Sequence, residues 1–150
     1  MSPSLAEVKK ALIAAGFELY RTSGNEVQLA DRVRDNLIMD SGVSVRAESS
    51  LAVRVVVRAQ LSDFPADAEA GTSLFDRARA AAGAVVSRGY VETQALASPM
   101  RDPGDPTRTL DTWYEVCYEK PVANLAEAVA EVGLALKLEK TARRSHAPPR

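Results

Sequence analysis

The sequence predicts an α+β domain, a mainly antiparallel sheet with helices packed on one side, in the order α-β-β-β-α-β-β-α. Three observations lead there. Period-two alternation of apolar and polar residues recurs in adjacent blocks, the blocks form hairpin-like groups without strand–helix–strand alternation, and three capped helix starts separate the groups. With 150 residues, 46% of them hydrophobic and 26% charged, the chain is long and apolar enough to bury a core as one domain, set at residues 1–140.

The first element opens with the capping box Ser4-Leu5-Ala6-Glu7. Leu5, Val8 and Leu12 share a stripe, Ile13 widens it, and Gly16 supplies a left-handed stop. Phe17 to Thr22 then alternates as a strand and ends in the turn Ser23-Gly24-Asn25. Residues 26–42 carry two conflicting signals. Val27 and Leu29 alternate like a strand, whereas Ala30, Val33 and Leu37 follow helical spacing; a short strand is favoured at the start, with Asp35 to Gly42 as a buried connector.

From Val43 the pattern is a hairpin: Val43, Val45 and Ala47, then Leu51, Val53, Val55, Val57 and Ala59. Residues opposed across a ladder share a face, so a two-residue turn at Ser49-Ser50 would wrongly oppose Val45 and Arg54. A three-residue turn, Glu48 to Ser50, opposes Val45 to Val53 and Val43 to Val55, and leaves Ser44, Arg46, Arg54 and Arg58 on the outer face.

Ser62 to Thr72 reads as a surface loop, and Ser73-Leu74-Phe75-Asp76 as a second capping box. The alanine-rich stripe Leu74, Phe75, Ala78, Ala81, Ala82, Val85 and Val86 continues to Gly89 as one helix. Tyr90 to Ala97 alternates weakly as a strand. Ser98 to Thr109 carries too many prolines for regular structure and is expected to be an irregular connection. Leu110, Thr112, Tyr114, Val116 and Tyr118 form one face of a last strand, with Trp113 and Cys117 on the other. Asn124-Leu125-Ala126-Glu127 caps a third helix, and residues 141–150 are expected to be a disordered basic tail.

In this succession of elements, from the helix Leu5 to Gly16 through to the helix Asn124 to Lys140, the chain resembles the YbjN and type III secretion chaperone-like group of α/β domains. The resemblance implies a small, often dimeric protein that binds other proteins without doing chemistry. The connection Ser98 to Thr109 departs from it, being longer than the tight turn that group usually has between its last strands.

Composition restricts function further. Nineteen lysines and arginines against twenty carboxylates leave a formal charge of -1, so no global field draws nucleic acid or membrane. Met1 to Gly16 lacks the basic start, apolar block and cleavage site of a signal peptide, and no apolar run spans a bilayer, so the expected location is the cytoplasm. Free use of alanine and arginine suggests a bacterial genome rich in G and C. Cys117 lies in mid-strand and reads as an inert small hydrophobe, and His146 lies in the tail, where no base can be positioned. Asp31, Asp35 and Asp40 are interleaved with arginines and lack metal-ligand spacing; the glycines form no phosphate loop. No catalytic residue, metal site or cofactor is therefore expected.

The arginine stripe Arg46, Arg54 and Arg58, with Arg21 beside it, is the main surface signal and suits carboxylate or phosphate; the alternative is charge placed for solubility and edge protection. The stripe has no aromatic residues for base stacking, so nucleic acid is not expected. Lys137, Lys140, Arg143, Arg144 and Arg150 form a second basic cluster without the apolar face that membrane binding needs. The expectation is a non-enzymatic, chaperone-like or adaptor module, with a protein partner and a possible homodimer, acting through a sheet face or helix groove. The competing expectation is a small-molecule-binding or enzymatic domain with a pocket near Trp113 and Tyr114.

Overall fold

The structure, a computed structural model, describes residues 3–64 and 72–145. Helix α1 (Leu5–Ala14) leads into four strands, β1 (Leu19–Ser23), β2 (Glu26–Arg34), β3 (Leu37–Ala47) and β4 (Leu51–Gln60), and a 3-10 turn (Leu61–Asp63). Helices α2 (Thr72–Ala81) and α3 (Gly83–Ser87) precede β5 (Val91–Asp102) and β6 (Asp105–Val122), and α4 (Leu125–Ser145) closes the described chain. The strands form one antiparallel sheet in the order β1-β2-β3-β4-β6-β5, so β6 returns beside β4 and leaves β5 at the edge.

Register fixes which side chains become core. Val45 faces Val53 and Val43 faces Val55, as the three-residue turn requires. The rows continue sideways, with Val27 opposite Val45, Tyr118 opposite Val55 and Val116 opposite Val57. All of these project to one side and pack with Val8 and Leu12 of α1, Leu74 and Ala78 of α2, Val85 of α3, and Val132 and Ala135 of α4. Each valine or leucine so removed from water contributes about 1.5–3 kcal/mol. The α1 capping box forms, with the Glu7 amide donating to the Ser4 hydroxyl and the Ser4 amide to the Glu7 carboxylate, each at 3.2 Å. Asn124 caps α4 in the same way, accepting from the Glu127 amide at 2.9 Å. The capping role expected of Ser73 lies outside the described side chains.

Four expectations change. Residues 26–42 are neither helix nor buried connector. They are β2, an exposed turn at Asp35-Asn36, and the first half of β3, where Leu37 and Met39 are exposed. The alternation there is broken by a bulge, since Gln28 faces Ser44 but Ala30 faces Asp40. The proline-rich stretch from Ser98 to Thr109 is not irregular. Both strands run through it to a tight turn at Pro103-Gly104, with Pro99 opposite Thr112. An outer strand tolerates proline because one side of its backbone has no ladder to feed. The helix expected from Leu74 to Gly89 is interrupted at Ala82, between α2 and α3, and Val86 is exposed. Finally, α4 continues past Lys140 to Ser145, with Ala142 only 2% exposed, so residues 141–145 belong to the folded domain; the rest of the expected tail, including His146, lies outside the described residues.

Candidate functional site

Two features of the sheet stand apart from its helix-covered core: an opened seam between β3 and β4, and an arm made by the far end of β5 and β6.

The seam begins at the bulge. Gly42 has φ +84°, and a Cβ there would lie 2.9 Å from the Val56 carbonyl oxygen, so only glycine fits. Ser41 locks the distortion, its hydroxyl donating to the Leu29 carbonyl at 2.8 Å and accepting from the Val43 amide at 3.1 Å. The Asp40 carboxylate accepts from the Gly42 amide at 2.9 Å. β3 and β4 are paired only from Val43–Val55 to Ala47–Leu51. Beyond that the strands part, and a cavity of about 330 Å³ lies between them, lined by Met39, Asp40, Ser41 and Gly42 from β3 and by Val56, Arg58 and Gln60 from β4, with Asp63, Trp113, Glu139 and Arg143 completing it.

Glu139 and Arg143 enter from α4. They share a hydrogen bond of 2.7 Å, and Arg143 also donates to Asp31 at 3.0 Å. Burial pushes the Glu139 carboxyl above the ordinary glutamate range; Arg143 opposes the rise and Asp31 adds to it. Burial works against the charge of Arg143, but its bonds to Glu139 and Asp31 outweigh that and hold it more firmly protonated. Sequence reasoning did not single out Glu139 within the expected helix, and it put Arg143 in a tail because it ended that helix at Lys140. Glu139, Glu131 and Ala135 recur at helical spacing on a buried stripe, and that was the available signal.

The expected arginine stripe is assembled on the face opposite the helices. Register puts Arg21, Gln28, Ser44, Arg54 and Glu119 in one row across five strands. Carboxylates match most of these cations: Arg46 lies 2.8 Å from Glu119, Arg54 3.5 Å from Glu26, and Arg58 3.1 Å from Glu115 and 3.7 Å from Asp40. Ser44 also donates to Glu26. Arg21 has no carboxylate partner among the described residues; it donates to Gln28 at 2.9 Å and sits over the Tyr20 ring. Cys117 lies on this same face, 2% exposed, as an unpaired thiol.

Trp113 and Tyr114 do not share a pocket. Consecutive strand residues point to opposite faces, so Trp113 lines the seam with the Arg58 guanidinium 5.3 Å from its ring centre, while Tyr114 packs edge-on against Phe75 of α2, centroids 4.9 Å apart. The Trp113 Nε1 is buried and has no hydrogen-bond partner among the described residues.

The arm has a different character. β4 accompanies β6 only from Trp113 onward, so residues 99–112 have only each other as ladder partners. Asp111 anchors the base, accepting from the Ser62 amide at 3.0 Å, the Ser62 hydroxyl at 2.8 Å and the Gln60 side chain. Burial would raise the Asp111 carboxyl, but these donors hold it below the usual aspartate range. The arm is bare, with Met100 at 44% and Leu110 at 49%, and the rest of the outer strand is exposed as well, every β5 residue from Val91 to Arg101, with Leu96 at 43%.

Among the described residues no group of three or more His, Cys, Asp and Glu could hold a metal ion, and no helix is long and apolar enough to cross a membrane. Asp31, Asp35 and Asp40 lie on β2, in the turn and on β3, not on one helical face. The chain has no significant match to any family model, curated protein or solved structure.

Proposed function

We propose that the protein is a non-enzymatic protein-binding module, adaptor or chaperone-like in action, that docks its partner against the faces of the β5–β6 arm. One observation carries this reading. A two-stranded hairpin is at best marginally stable alone in water, yet this one extends past its neighbours while exposing Met100 and Leu110, with Leu96 exposed on β5 at its base. Exposed apolar side chains gathered on one element mark an interaction surface.

Docking is face-on in this reading, because a proline in the edge strand, Pro99, disfavours the addition of a further strand. Arg46, Arg54 and Arg58 serve in this reading as a charge-matched floor, and Arg21 is the cation left to meet an acidic group on a partner at the rim. The tight turn at Pro103-Gly104 supports the likeness to the YbjN and secretion-chaperone group, whose members usually have such a turn there.

Pull-down from source cells, with Leu96, Met100 and Leu110 each changed to Ser in one variant and Arg21→Ala as a second, tests the reading. The arm variant is expected to lose a partner that the wild type retains, and Arg21→Ala to weaken it. Equal recovery by the arm variant would refute the docking surface. A second copy of the chain as the captured protein would make the module a homodimer through the same arm.

A further inference from the structure

We propose that the opened seam between β3 and β4 is a binding site for a small zwitterion of amino-acid size, whose carboxylate meets Arg58 and Arg143 beside the Trp113 ring and whose ammonium group meets Asp40, Asp63 and Glu139. This site is independent of the arm and of the protein-binding reading.

Size comes first. The cavity of about 330 Å³ falls at the lower end of ligand pockets, roughly 300–1,000 Å³, and suits an amino acid better than a nucleotide or cofactor. Its wall is unusual for a gap between strands, because it carries two guanidinium groups and three carboxylates around one indole. Trp113 lines the cavity, with its Nε1 closed off from solvent, so a ligand meets the indole ring and not the N–H. Arg58, over the same indole at 5.3 Å, supplies charge beside it, and Arg143 has an Nε–H beyond its bonds to Asp31 and Glu139.

A simple anion would satisfy that corner but would face a wall with one more carboxylate than guanidinium. A simple amine would suit the excess but would face the two guanidinium groups. A ligand bearing both charges answers both. The bulge shapes the rim of this space: Gly42 lies close against the Val56 carbonyl, and Ser41 ties β3 to β2.

Trp113 is the sole tryptophan of the chain and reports on the site directly. The probes are the common free L-amino acids, each titrated beside its decarboxylated amine and its N-acetyl derivative. Expected is a saturable change in Trp113 emission, with a matching rise in melting midpoint, for at least one amino acid. Removal of either ligand charge is expected to weaken binding about tenfold or more, the scale of one charge-assisted hydrogen bond. Arg143→Gln is expected to do the same, and Asp63→Asn, in the exposed 3-10 turn, gives a second variant that leaves the folded core untouched. No saturable response to any amino acid at millimolar concentration would overturn the proposal. So would equal binding of the amine or of the N-acetyl acid, or binding unaffected by both substitutions.

Discussion

Strand β6 lives in two environments. From Trp113 to Glu119 it runs between β4 and β5 beneath α2 and α4, and Val116, Cys117 and Tyr118 are buried. From Asp105 to Leu110 it has only β5 for company and is exposed throughout. Burial here is decided by which neighbours the strand has, not by its own sequence, for Leu110 is as apolar as Val116. The difference teaches where to look for function: most charges within the covered part are answered internally, whereas the apolar groups of the arm have no cover among the described residues.

The largest expected effect separates the two parts of β6. Tyr118→Ala should cost about 3–5 kcal/mol in urea unfolding, as aromatic truncation in a core does, whereas Leu110→Ser should change stability by less than about 0.5 kcal/mol. A Leu110→Ser loss comparable to that of Tyr118→Ala would show that the arm is packed and would erase the comparison. Next comes Gly42→Ala, expected to cost about 2–3 kcal/mol from the positive φ and the clash with Val56. The same measurement on Gly24→Ala, at φ +59° with open space around it, should give a smaller loss.

The covered region also holds two glutamates of α4 with opposite behaviour. Glu131 accepts from Arg88, Lys120 and the Tyr90 hydroxyl, bonds that outweigh its burial and hold its carboxyl below the ordinary range. Its stabilisation is present above the unfolded-state pKa, roughly 4.3, and is lost as pH falls through the lower folded value. Glu139, with its carboxyl raised chiefly by burial, has the opposite sign. Its contribution is full below the unfolded pKa and is lost as pH rises through the higher folded value. Glu131→Gln should therefore cost about 1.5–3 kcal/mol near neutrality and much less in acid. Wild type should lose ground to Glu139→Gln as pH rises from 4 to 7. Parallel pH profiles for the two variants would contradict this assignment.

Much of the covered region was legible in the sequence, because strict alternation and hairpin arithmetic leave one consistent register. Val45 opposite Val53 follows from the face rule alone. The outer face was also legible, since Arg46, Arg54 and Arg58 had to share it once Val53 and Val55 turned inward. Their carboxylate partners were not, because Glu26, Glu115 and Glu119 are remote in sequence and reach the stripe only through strand order. The bulge at Ser41-Gly42 hid β3 by shifting its alternation, and Pro99 hid the arm by signalling a break that an edge strand does not suffer. Arg143 was placed in a tail and Glu139 passed over within the helix, because their role depends on a seam that local pattern does not reveal.

Site-specific photocrosslinking in source cells tests the central claim most directly, with the crosslinker placed in turn at Met100 on the arm and at Ile13, an exposed apolar residue on α1. The account predicts a discrete crosslinked protein from position 100 and none from position 13. Adducts from position 13 alone, or from neither position, would contradict docking on the arm.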